Sequence, residues 1–125
     1  MKIYIAHPTD MDYENELYKP LRSDGFFSQH ELILLHEESN KIINTRDDYK
    51  NVDSVIAECS KPSTGVGIEL GWFYDERKPI YCFYKIGMKP SGSVAAVAKE
   101  LVEYSDSNDL ANKIRSVIEK QSTCE

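Results

Sequence analysis

The sequence predicts an α/β fold: a five-stranded parallel sheet, doubly wound in the Rossmann/flavodoxin-like manner, with helices on both faces and residues 1–125 forming one domain. Three observations carry this expectation. Short runs rich in β-branched and aromatic residues alternate with segments of helical periodicity; those runs are apolar on both faces; and no Pro/Gly-rich linker, repeat or low-complexity stretch divides the chain.

The elements follow in order. Lys2 to Ala6 (KIYIA) reads as a strand ending at a Pro8 turn, and about Asp12 to Arg22 reads as a helix that Pro20 interrupts. Glu31 to His36 (ELILLH) is the second strand, and Lys41 to Asn51, with Ile42, Ile43 and Tyr49, has helical spacing. Ser54 to Cys59 (SVIAEC) is the third strand. Ser63 then caps a helix reaching about Arg77, and Pro79 to Lys85 (PIYCFYK) forms the fourth strand. Val94 to Lys99 looks helical, Leu101 to Tyr104 is a short fifth strand, and Ser107 to Gln121 is an amphipathic helix carrying Leu110, Ile114, Val117 and Ile118. A 2-1-3-4-5 strand order would reverse the sheet between strands one and three. Ligand is then expected above their carboxyl ends, at His7 to Asp10 and Cys59 to Gly67.

Composition narrows the function. A net charge of -6 argues against a nucleic-acid polymer as partner, because phosphate-tracking surfaces are basic; a single mononucleotide needs only one local pocket. Cys59, Cys82 and Cys124 are odd in number and form no C-x-x-C pair, so neither a disulfide framework nor a zinc site is expected. Met1 leads straight into a strand-like run, with no apolar segment of signal-peptide or membrane-spanning length, so a cytoplasmic location without membrane contact is expected.

The chemistry concentrates in Ser60 to Gly71 (SKPSTGVGIELG), at the turn from strand three into a helix. Clustered glycines free backbone N–H groups beside a helix N-terminus, which suits an anion such as phosphate, and Ser63 and Thr64 add hydroxyl donors. Ser63 serves equally well as a simple helix cap. Gly65 and Glu69 are one helical turn apart and share a face; Gly67 and Gly71 share another, expected to pack on the sheet. The glycine spacing fits neither a Walker loop nor a dinucleotide fingerprint, and no G-x-S-x-G elbow supports a serine hydrolase. His7, His30 and His36 lack metal-ligand spacing, with His30 and His36 expected at the two ends of strand two. Trp72, Phe73 and Tyr74 read as core or subunit interface. Asp53, at the start of strand three, is expected to be structural and far from the crevice.

The string AECSKPSTGVGIELGWFYDERKPIYCFY, with its S-x-P-S-x-G-x-G-x-E-L-G core, the opening I-Y-I-A and the later S-G-x-V, resembles the nucleoside 2-deoxyribosyltransferase family. The closer likeness is to its branch of 2′-deoxynucleoside 5′-phosphate N-hydrolases. The resemblance implies that Glu69 attacks C1′ of deoxyribose to form a covalent glycosyl-enzyme, that Tyr4 orients this carboxylate, and that Asp47 or Asp48 protonates the departing base. It implies no metal or cofactor, and a homodimer or higher homo-oligomer. Ser63 stands where transferases carry an aspartate; a serine can donate to a 5′-phosphate that an aspartate would repel, which favours phosphorylated substrates and hydrolysis. Two positions depart from the family. His7 replaces a glycine where backbone usually approaches sugar or base, and Ala96 replaces a phosphate-binding serine, a loss for which Ser91 or Ser93 is placed to compensate. Transfer of deoxyribose between free bases is the rival within the family, and a nucleotide-binding or sensing module is the rival outside it.

Overall fold

The computed structural model describes residues 1–37 and 51–123. The sheet runs in the order β2-β1-β3-β4-β5, from strands β1 (Lys2–Ala6), β2 (Glu31–Ile33), β3 (Ser54–Glu58), β4 (Ile80–Lys85) and β5 (Glu100–Tyr104). Every pairing is parallel, with Tyr4 opposite Val55 and Ala57 opposite Cys82. The reversal between β1 and β3 therefore stands where the sequence places it, and the crevice opens above their carboxyl ends.

Alternation along each strand sorts its side chains into two apolar layers. Ile3, Ile5, Ile56, Tyr81 and Phe83 meet Leu17 and Leu21 of the first helical segment and Leu110, Ile114, Val117 and Ile118 of α4 (Ser107–Thr123). Tyr4, Ala6, Val55, Ala57, Cys59 and Cys82 meet Val66, Leu70 and Phe73 of α2 (Thr64–Asp75), with Val94 and Val97 of α3 (Gly92–Val97) at the edge. Each such side chain, fully buried, contributes about 1.5–3 kcal/mol, so helices on both faces are what bind this sheet.

Several boundaries differ from the sequence reading, each for a physical reason. The first helix starts as a π-helical turn over Glu14–Tyr18 and continues as α1 (Lys19–Ser23). Pro20 has no N–H for the carbonyl of Glu16, and Lys19 N–H bonds back to Glu14, so the ladder widens rather than breaks. β2 is three residues long because only Glu31, Leu32 and Ile33 pair with β1, although Leu34 stays buried. α2 ends at Asp75: Arg77 adopts φ 60, Arg77 N–H bonds to the carbonyl of Tyr74 and Lys78 N–H to that of Phe73, a Schellman stop without its usual glycine. α3 begins two residues early because Ser91 caps it, its hydroxyl accepting Val94 N–H at 3.3 Å. The helix expected over 41–51 lies, except for Asn51, outside the described residues.

Gly67 and Gly71 do not pack on the sheet. Both face outward, and a Cβ on either would meet nothing within 4 Å. The helix packs through Val66, Leu70 and Phe73 instead, which turns the glycines away from the core. Among the described residues, no helix is long and apolar enough to cross a membrane.

Candidate active site

β1 and α2 bring the proposed nucleophile and its partner together. Glu69, half-buried on α2, accepts a hydrogen bond from the hydroxyl of Tyr4, which rises from β1 and is 1% exposed. One turn further along the same helical face, Phe73 packs on the Tyr4 ring at 5.1 Å. One turn of helix thus holds both the carboxylate and the ring that steadies its donor. Gly65, the turn before, leaves the helix N-terminus open above Glu69.

At that N-terminus the chain gathers most of the remaining expected residues. Ser63, Thr64, Gly67, Ser91 and Ser93 line one cavity of about 310 Å³, together with Lys61. The Ser63 hydroxyl accepts Val66 N–H at 3.4 Å, so it is a helix cap as well as a lining group. Ser91 caps α3 in the same way across the cavity, and Lys61 supplies positive charge. The arrangement offers hydroxyl donors and a cation around a space suited to a phosphate-sized anion.

His7 is buried rather than presented to the crevice. Its Nδ1 lies 2.8 Å from the carbonyl of Pro8, which can only accept, so Nδ1 carries the proton; neutral Nε2 then accepts the hydroxyl of Tyr18 at 2.6 Å. His36 N–H donates to the same Tyr18 oxygen at 3.3 Å. The His7 ring stacks on Tyr13 at 4.7 Å and meets Tyr18 and His36 edge-on at 5.1 and 5.4 Å. Burial lowers the pKa of His7 and pushes that of Tyr18 up to about 12, the carboxylate of Glu69 being among the nearby charges that add to the latter.

This cluster is what the sequence reading missed. Tyr13 and Tyr18 are five residues apart, which on an α-helix separates them by about 140°. In the π-helical turn their rings lie 5.1 Å apart. Pro20 was the available signal. His36, beyond the end of β2, joins the cluster although its own side chain is exposed. His30 stays at the other end of β2 against Phe26. Asp53 is distant too: its carboxylate accepts Lys2 N–H at 2.8 Å and its carbonyl accepts from Gln121, at the amino ends of the strands. Phe73 is core, whereas Tyr74 is exposed. Asp47 and Asp48 lie outside the described residues. Among the described residues, no three His, Cys, Asp or Glu side chains gather in a way that could hold a metal ion.

No protein-family model matches the chain, and no curated protein matches it. Its fold is similar to that of a conserved protein from Enterococcus faecalis V583, with a TM-score of 0.70 at 16% identity over 93% of this chain and 98% of that one. It is similar also to the Clostridium botulinum CMP N-glycosidase BcmB, with a TM-score of 0.63 at 16% identity, covering 91% and 97%. FixJ-N is a third, at 0.55 and 14%, covering 91% and 90%. At such identities the likeness speaks for architecture, and together with the strand order it establishes a doubly wound, flavodoxin-like α/β fold.

Proposed function

We propose that this protein hydrolyses the N-glycosidic bond of 2′-deoxynucleoside 5′-monophosphates, with Glu69 as nucleophile. The observation that carries the reading is the Tyr4–Glu69 hydrogen bond between β1 and α2, the helix whose N-terminal residues line the serine-rich cavity. Support also comes from the motif around Glu69 and from the fold shared with an enzyme that cleaves CMP.

In this mechanism Glu69 attacks C1′ as the base departs, and the Tyr4 hydroxyl holds the carboxylate on line. The resulting glycosyl ester is hydrolysed by water, so the configuration at C1′ is retained. Asp47 or Asp48 protonates the leaving base, a role assigned by resemblance alone. Lys61, Ser63, Thr64, Gly67, Ser91 and Ser93, which line the cavity, receive the 5′-phosphate, and Gly65 keeps the adjoining helix turn free of a side chain. His7 shapes the crevice wall through Tyr13 and Tyr18 rather than by touching the reacting atoms.

The experiment is chromatography of free base released from deoxynucleosides, their 5′-monophosphates and the matching ribonucleotides. Release from the deoxynucleotides, lost in Glu69→Gln, is the expected result; undiminished activity in that variant would sink the mechanism. CMP carries ribose, so preference for ribonucleotides would keep the site and reassign the sugar. A new nucleoside formed when a second base is added would indicate transfer. Nucleotide binding without product would indicate a sensing module.

A further inference from the structure

Glu58 is a buried carboxylate that the mechanism above does not use; it is 5% exposed at the carboxyl end of β3. It points to the sheet face opposite Ala57 and Cys59, where the neighbouring strand position, Ile56, is apolar. A carboxylate in such a layer is tolerated only when donors surround it. Three do: Ser60 N–H at 2.7 Å, the Ser60 hydroxyl at 2.9 Å, and the hydroxyl of Tyr104 at the end of β5. The Ser60 oxygen in turn accepts Lys85 N–H from the end of β4 at 2.8 Å. Burial and the bond to Glu58 raise the pKa of the Tyr104 phenol, keeping it a donor.

The first turn after β3 is therefore tied to the ends of two further strands. The next residues, Lys61, Pro62 and Ser63, line the cavity assigned to phosphate. Lys61 also borders a second cavity, of about 300 Å³, on whose wall Glu58, Ser60, Lys85 and Tyr104 all lie. An apolar residue in place of Glu58 would fill the layer equally well but would leave this turn untethered.

We propose that Glu58, through Ser60 and with Tyr104, is a positioning residue that sets the Lys61–Ser63 turn to receive the 5′-phosphate. The proposal rests on the reading of that cavity as the phosphate site. It concerns substrate placement rather than the bond-breaking step.

The test compares kcat and KM of the full chain for a deoxynucleoside 5′-monophosphate and for its unphosphorylated parent, in Glu58→Gln and Tyr104→Phe. Loss of a charge-assisted bond in the tether is expected to raise KM for the monophosphate about tenfold, with kcat and the parent nucleoside's kcat/KM within about twofold. Tyr104→Phe, which keeps both Ser60 bonds, should shift KM in the same direction by less, and it decides the matter if Glu58→Gln does not fold. Equal losses on both substrates, or none, would overturn the proposal. A second arm titrates inorganic phosphate against the backbone amides of Thr64 and Gly65 by NMR, which separates this proposal from the catalytic reading. Phosphate bound by the wild type and weakened about fivefold or more in Glu58→Gln supports the positioning role even if no substrate turns over. Phosphate that fails to bind the wild type, or binds both forms equally, refutes it.

Discussion

Replacing Tyr4 with phenylalanine isolates the contact on which the proposed chemistry turns. The ring remains, 1% exposed and packed on Phe73 at 5.1 Å, so the core volume is unchanged and only the hydroxyl that donates to Glu69 is lost. A hydrogen bond to a charged group is worth about 1.5–3 kcal/mol. Glu69 is half-buried, so water replaces part of it and the lower end, about 1.5–2 kcal/mol, applies. At 1.36 kcal/mol per decade this predicts kcat reduced about 10- to 30-fold, with KM within about twofold because the phosphate contacts are untouched. The bond is present in the folded resting state, so stability should fall by the same amount, about 1.5–2 kcal/mol, a Tm drop of about 6–8 °C. Single-turnover release of base, with thermal melts on the same samples, measures both. A variant with kcat within twofold of wild type would show that Tyr4 is a core residue whose hydroxyl is merely satisfied, and the assignment of Glu69's orientation to it would be wrong.

Three other outcomes follow from the structure. Gly71→Ala should stabilise the chain by about 0.5–1 kcal/mol, since the glycine is in a helix interior with nothing within 4 Å of an added Cβ; a lower urea midpoint would mean that something covers this face. Arg77→Gly should also stabilise the chain, by about 1 kcal/mol, because φ 60 strains an L-residue at the end of α2; an unchanged urea midpoint would mean that packing of the arginine offsets the strain. Burial holds the pKa of His7 below its ordinary 6.5, so the unfolded chain binds more protons: stability is level above about pH 6.5 and declines as pH falls below it. Urea midpoints between pH 8 and 5 should show that decline, shallower in His7→Asn with a residue left by His30, whose pKa is lowered in the same direction; a midpoint rising with acidity would refute the assignment.

The fold was legible because its cues are local and repeated. Apolar runs of four to six residues between helical patterns specify strands and helices wherever the chain goes, and parallel pairing follows once both strand faces are apolar. The nucleophile candidate, its glycine-rich turn and the serines around it were legible for a related reason: they sit within one segment, Ser60 to Gly71, plus the next loop. The helix boundaries were less so, since Pro20 widened a helix that periodicity alone would have kept regular and Arg77 ended one without a glycine.

By itself, then, the sequence determined the strand order, the sheet reversal between β1 and β3, the order of the longer described helices and the pairing of Gly65 with Glu69 on one helical face. Only the tertiary structure decided that Tyr4 reaches Glu69 across 65 positions, that Gly67 and Gly71 face outward, that His7 is buried against Tyr13, Tyr18 and His36, and that Glu58 ties Ser60 to Tyr104. The physical reason is range. Periodicity reports which residues share a face of one element, whereas these contacts join elements whose relative placement is set by packing the two apolar layers of the sheet, and no local pattern encodes that placement.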